Sequence, residues 1–192
     1  TKNKSKINII VATSGDTGAA AIGAIKDKKN MKIFVFYPEN KISEIQRKFM
    51  TTVKSNNVYN IALAGTFDDC QRFVKEMFLD QSFRSSINLS AVNSINWVRI
   101  IAQIVYYFYS FLKEWKKDEE INFSVPTGNF GDIFAGFVAK KMGLPINKLL
   151  IATNQNNILQ RVLNTGEYKP SKVYQTLSPS MDIQVASNFE RL

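Results

Sequence analysis

The chain has 192 residues, 45% of them hydrophobic, with a formal net charge of +9, one cysteine and no histidine. This allows one domain with a sizeable core, or part of a larger enzyme, and excludes an internal disulfide framework. Within these residues it also excludes Ser–His and Cys–His catalysis and any histidine-ligated metal, and no set of cysteine and carboxylates has metal-ligand spacing.

Taken in chain order, strands and helices alternate. Ile7–Val11 reads as a strand and Thr17–Lys26 as a helix, followed by a strand at Met31–Tyr37 closed by Pro38 and a helix at Ile42–Val53. Val58–Leu63 is the next strand. Thr66 then has the character of an N-cap, with Asp68 and Asp69 in the first turn of a helix running to about Leu79. A short strand at Asn88–Val92 leads into a long helix at Ile95–Trp115, a strand at Ile121–Val125 and a helix at Asp132–Met142 stopped by Gly143 and Pro145. Leu149–Thr153 is a strand, and Asn156–Leu163 a helix ended at Thr165-Gly166. Continuous apolar strands alternating with helices predict an α/β fold of mostly parallel sheets with helices on both faces. Val98 to Leu112 is the most apolar stretch; it is too short for a membrane span and carries Arg99, Gln103 and Ser110, so it is expected to be a buried helix.

Two loops stand out. Thr13-Ser14-Gly15-Asp16-Thr17-Gly18 lies between a strand and a helix N-terminus, a place where backbone N–H groups and the helix dipole meet anions. Its hydroxyls add donors and its glycines permit close approach. Pro126-Thr127-Gly128-Asn129-Phe130-Gly131-Asp132 repeats the arrangement after Ile121–Val125. Neither is a Walker A sequence nor a dinucleotide fingerprint. In open α/β sheets ligands sit at the carboxyl ends of strands, so the two loops, the turn Pro38–Ser43, Asn93–Asn96 and Asn154 are expected to share one site. The lysines are scattered at element ends and not interleaved with aromatics, which argues for a solvated surface and against nucleic-acid binding. Cys70 follows Phe67-Asp68-Asp69 on a predicted helix and reads as a buried structural thiol.

Seven segments in order carry a family resemblance: Thr13 to Ala20; Tyr37 to Ser43 with Gln46; Gly65 to Gln71 with Val74-Lys75; Asn93-Ser94-Ile95-Asn96 with Arg99; Val125 to Asp132; Ala152-Thr153-Asn154; and Ser180 to Ile183. On these the chain resembles the bacterial and fungal threonine synthases, pyridoxal-phosphate (PLP) enzymes of fold type II. The resemblance implies conversion of O-phospho-L-homoserine and water to L-threonine and phosphate, with PLP as electron sink. It implies cofactor contacts from Gly128, Asn129, Phe130 and Gly131, and from Asp16, where an aspartate can bond the cofactor's 3′-oxygen only if one partner carries the proton. It implies substrate contacts from Ser14, Gly15, Thr17, Lys41, Ser43, Asn93, Ser94, Asn96 and Arg99. Arg99 suits a bidentate phosphate contact, or equally a buried structural role.

The family's cofactor-bearing lysine belongs to a Phe-Lys-Asp segment ahead of the strand that begins here at Ile7. Lys26-Asp27 is preceded by Ile25 and does not match it. Residues 1–192 are therefore expected to be the central part of the catalytic region, without its lysine-bearing and C-terminal parts, with sub-domain limits near 13 and 90–126. No catalytic residue is identified and the chain alone is expected to be inactive. A cytoplasmic monomer or homodimer without nucleic-acid, metal or membrane partners is implied. Another fold-type-II enzyme of the cysteine synthase or amino-acid dehydratase type, or a non-catalytic phosphate- or nucleotide-binding module, stays open.

Overall fold

The computed structural model describes residues 6–93 and 96–192, which belong to two compact units, Thr1–Asn93 and Ser94–Leu192. In the first unit, strands β1 (Ile7–Ala12), β2 (Met31–Pro38), β3 (Val58–Leu63) and β4 (Leu89–Ala91) form one parallel sheet in the order β3-β2-β1-β4. Helices α1 (Asp16–Ile25), α2 (Glu44–Thr51), α3 (Phe67–Leu79) and α4 (Gln81–Ser86) connect them.

Period-two alternation divides the apolar strand residues between two faces. Ile9 and Val11 of β1 and Ile33, Val35 and Tyr37 of β2 pack with Ala21, Ile22 and Ile25 of α1 and Met50 of α2. Ile10 and Phe36 face the other way, onto Cys70 and Val74 of α3. A strand buried on both sides needs no polar residue, which is why β1 and β2 read as continuous apolar runs. Each fully buried side chain such as Ile22, Ile33 or Met50 contributes roughly 1.5–3 kcal/mol. Thr66 caps α3 through a capping box with Asp69, as the sequence leads one to expect. The short helix α4, held by the Asp80 side chain on Phe83 N–H, carries no apolar periodicity and escapes sequence reading.

The second unit holds α5 (Trp97–Glu114), β5 (Ile121–Pro126), α6 (Gly131–Lys141), β6 (Ile146–Ala152), α7 (Ile158–Thr165) and two 3-10 turns, Pro179–Met181 and Phe189–Arg191. β5 and β6 pair in parallel. Helix α5 corrects one expectation. Only Ile100, Ile104, Tyr107 and Phe111 are buried, whereas Val98 is 71%, Val105 60% and Leu112 77% exposed. A helix presents a full circumference, and α6 and its strands cover one stripe of α5. Tyr107 and Phe111 are thus core aromatics, and Tyr106 and Tyr109 are exposed. Among the described residues no helix is long and apolar enough to cross a membrane.

Candidate anion-binding site

The first unit brings its polar segments to one sheet edge. All four strands run parallel, so the loops following them, at Thr13–Gly15, Glu39–Ser43, Gly65-Thr66 and Val92-Asn93, lie at the carboxyl edge. The chain steps from β1 to β2 on one side and returns to β4 on the other. The loop after β1 and Asn93 therefore flank the switch point, where ligands gather in such sheets.

Thr13 organises the first loop. It is 1% exposed, and its hydroxyl accepts from the Gly15 and Gly18 N–H groups, each at 2.9 Å. The Thr-x-Gly turn is a local side-chain-to-backbone motif that Ser and Thr favour, so the signal was present in the sequence. Gly15 takes φ 133°, a region few side chains enter, and a Cβ there would lie 2.5 Å from Gln46 Cδ. A Cβ on Gly18 would meet Thr13 Cγ2 at 2.5 Å and Met50 Sδ at 2.8 Å. The close approach these glycines allow is thus to the protein's own Gln46 and core.

Gln46 joins the loop after β1 to the loop after β2. Its Nε2 donates to Asp16 Oδ1 at 2.6 Å. Its backbone N–H donates to Ser43 Oγ at 3.2 Å, and Ser43 Oγ donates to Gln46 Oε1 at 3.1 Å. Ser43 is the N-cap of α2, so one short chain of bonds fixes both helix starts and orients the Asp16 carboxylate. Ser14 and Thr17 are half-buried in the same loop, and Lys41 is exposed after the left-handed Asn40 (φ 56°). Asn93 is half-buried, and its Oδ1 is buried without a hydrogen-bond partner among the described residues. At the amino edge of the same sheet, Lys6, Lys28, Lys29 and Lys32 line a cavity of about 400 Å³, so part of the positive charge lies away from the carboxyl edge.

The loop after β5 opens α6 in the second unit. Phe130, the residue before the helix, is left-handed (φ 64°, ψ 6°) and places no side-chain cap on it. A left-handed residue followed by helical Gly131 and Asp132 turns successive N–H groups into one concavity, a nest for an anion, at the positive end of the helix dipole. The loop is braced behind. The Asn188 N–H and Nδ2 both donate to the Asn129 carbonyl, at 3.1 and 3.0 Å, and Phe130 packs edge-on against Phe189. Gly128 lies under Met181 and Ser180, where a Cβ would come within 3.4 Å of backbone atoms. That turn is held by Asp182, whose carboxylate accepts from Asn154 Nδ2 (2.9 Å), Asn156 Nδ2 (3.0 Å), Thr176 Oγ1 (2.7 Å) and Thr176 N–H (2.8 Å). Nothing in the sequence marks Asn188 or Asn156, because Asn129, Tyr174 and Asp182, which their side-chain amides reach, lie 59, 18 and 26 positions away.

Asp132 lies in the first turn of α6, and Tyr107 Oη donates to its backbone carbonyl at 2.9 Å. Burial lifts its carboxyl above the usual carboxylate range, opposed by the Tyr107 hydroxyl and the Arg99 charge. Arg99 itself is exposed on α5. Asn96 caps α5, its Oδ1 accepting from Val98 N–H at 2.9 Å. Ser94, expected at the substrate, lies outside the described residues. Cys70 is fully buried, and burial pushes its thiol up to about 11, in keeping with a structural role.

Residues 1–191 match the family model described as pyridoxal-phosphate dependent enzyme. It is 52% identical over 191 residues to a threonine synthase of Pseudomonas aeruginosa, covering 100% of this chain and 41% of that protein. It is 55% identical over 192 residues to a threonine synthase of Saccharomyces cerevisiae, covering 98% of this chain and 37% of the relative. The crystal structure of a PLP-bound threonine synthase from Brucella melitensis superposes with a TM-score of 0.83 at 53% identity, covering 97% of this chain and 40% of that one. The chain thus spans about two fifths of the length of these relatives.

Proposed function

This chain belongs to the pyridoxal-phosphate dependent enzymes, and from that premise we propose that it forms part of a threonine synthase that converts O-phospho-L-homoserine and water to L-threonine and phosphate. The carrying observation is the identity of 52% and 55% to threonine synthases across essentially every residue of this chain, both described anion loops included. The nest at Phe130-Gly131 fits the cofactor's phosphate, because its donors are backbone N–H groups and no side chain caps the helix behind it. The cofactor, when bound, supplies the electron sink that such an elimination at the γ-carbon requires.

The chain's own residues then bind and orient. Gly128, Asn129, Phe130 and Gly131 hold the cofactor phosphate by main-chain donors. Gln46 holds the Asp16 carboxylate, which would bond the cofactor's 3′-oxygen if one of the two partners carries the proton. Ser14, Gly15, Thr17, Lys41, Ser43, Asn93, Ser94, Asn96 and Arg99 form the pool from which the substrate's phosphate and carboxylate are bound. Gly15 contributes chiefly by its backbone shape, since its N–H is engaged by Thr13. Arg99 offers the planar fork suited to a phosphate. The enzyme is cytoplasmic in this reading.

The test is an assay of the full-length protein for phosphate release and threonine formation from O-phospho-L-homoserine, with and without PLP. PLP-dependent release supports the proposal. Absence of release, with turnover of serine or threonine instead, would move the assignment to another enzyme class of the same fold.

A further inference from the structure

We propose that Asn188 is a positioning residue that latches the Asn129–Phe130 peptide in the orientation an anion requires. The inference rests on the reading that the Gly128–Gly131 loop receives the cofactor phosphate. Asn188 is 0% exposed and delivers two donors, its main-chain N–H and its Nδ2, to a single acceptor, the Asn129 carbonyl. A carbonyl oxygen has two lone pairs, so both are engaged on the side facing Asn188.

The peptide is trans, so its N–H points opposite to its C=O. Holding the Asn129 carbonyl towards Asn188 therefore aims the Phe130 N–H away from it, into the concavity that also receives the Gly131 N–H. Phe130 keeps a left-handed backbone in this arrangement, a conformation that a side chain bearing a Cβ disfavours. Rotating the Asn129–Phe130 peptide by half a turn would return Phe130 to negative φ. It would also swing the Asn129 carbonyl, a negative dipole end, into the place of the anion. Intrinsic backbone preference thus favours the wrong orientation, and the bonds from Asn188 oppose it. The edge-on packing of Phe130 on Phe189 at 5.2 Å, and the parallel stacking of Phe189 on Tyr168 at 5.3 Å, carry the same latch into the following 3-10 turn.

The position has no counterpart among the residues expected at the site from sequence. It acts on the ligand only through the Asn129 carbonyl, and it is the side-chain bond that can be removed without altering the loop's own residues.

The experiment uses the full-length enzyme with Asn188→Ala and with Asn188→Leu, which is close in size, uncharged and without the Nδ2 donor. Equilibrium dissociation constants for PLP are measured, together with the 31P resonance of the bound cofactor, the melting temperature of the apo form, and the KM for O-phospho-L-homoserine at saturating PLP. The expected result is a PLP dissociation constant raised roughly five- to tenfold in both variants. A displaced 31P resonance and an unchanged KM should accompany it. Unchanged PLP affinity and 31P shift with a lowered apo melting temperature would overturn the latch in favour of a scaffold role, as would loss of fold in both apo variants. A wild-type full-length protein that takes up no PLP refutes the cofactor reading itself, a result distinct from wild-type uptake that the variants match.

Discussion

Replacing Thr13 by valine tests how the first loop is built. The substitution preserves shape and removes only the hydroxyl, which accepts two N–H bonds of 2.9 Å, from Gly15 and Gly18, at a site 1% exposed to solvent. Water cannot replace an acceptor there, so both donors are stranded. A buried unsatisfied donor costs about 1–3 kcal/mol, and two give a loss of about 2–6 kcal/mol. Thr13→Ser keeps the acceptor and loses a methyl group that packs towards Gly18, for about 1 kcal/mol. Because two compact units need not unfold in one transition, the local free energy is read by hydrogen exchange at the Gly15 and Gly18 amides alongside urea unfolding. Valine should abolish protection at both amides and lower the first unit's stability, whereas serine should keep the protection. A valine variant within about 0.5 kcal/mol of wild type, with both amides still protected, would show that Thr13 does not organise the loop.

Three further outcomes follow from burial and close packing. Gly136 sits where a Cβ would lie 2.5 Å from Tyr107 Cε1 and 3.0 Å from Leu149 Cδ2. Gly136→Ala should therefore destabilise by about 1–2 kcal/mol, overpacking outweighing the gain in helix propensity; thermal unfolding checks it, and a rise in melting temperature would contradict it. With its thiol pushed up to about 11, Cys70 is about one part in a thousand thiolate at pH 8. It should resist iodoacetamide until urea unfolds the first unit, and stoichiometric labelling of the native protein would disprove this. The raised folded pKa of Asp132 means its contribution to stability is fully present below the unfolded value and is lost as pH rises through the folded value. Asp132→Asn should flatten the decline of stability on passing upward through this acidic window, measured by urea midpoints across pH; an unchanged slope would exclude Asp132 as its source.

Much of the fold is local and was legible. Val58–Leu63 and the helix after Thr66 have the expected bounds, because β-branched runs and a Thr-x-x-Asp cap are written in neighbouring residues. Alternation of strands and helices also dictated the carboxyl-edge position of the loop after β1, since parallel strands all carry their loops to one side. The nest could be foreseen as a loop type from Gly128 and Gly131, but the left-handed conformation falls on Phe130, which composition does not favour.

Tertiary structure decided what the sequence left open. The Val98–Leu112 stretch is uniformly apolar, and only the placement of α6 selects Ile100, Ile104, Tyr107 and Phe111 as its inner stripe. Arg99 reads equally as buried or exposed until the same packing turns it outward. Asp16, Ser43 and Gln46 become one hydrogen-bonded chain only because β1 and β2 are adjacent, bringing residues 30 positions apart within 2.6 Å. Asn188 meets Asn129 across 59 positions. The sequence by itself determined the strands, the longer helices, their order and the family, since propensity, caps and motifs act over a few residues. The supports that give the loops their shape are long-range, and they exist only once burial has brought distant polar groups together and water can no longer satisfy them.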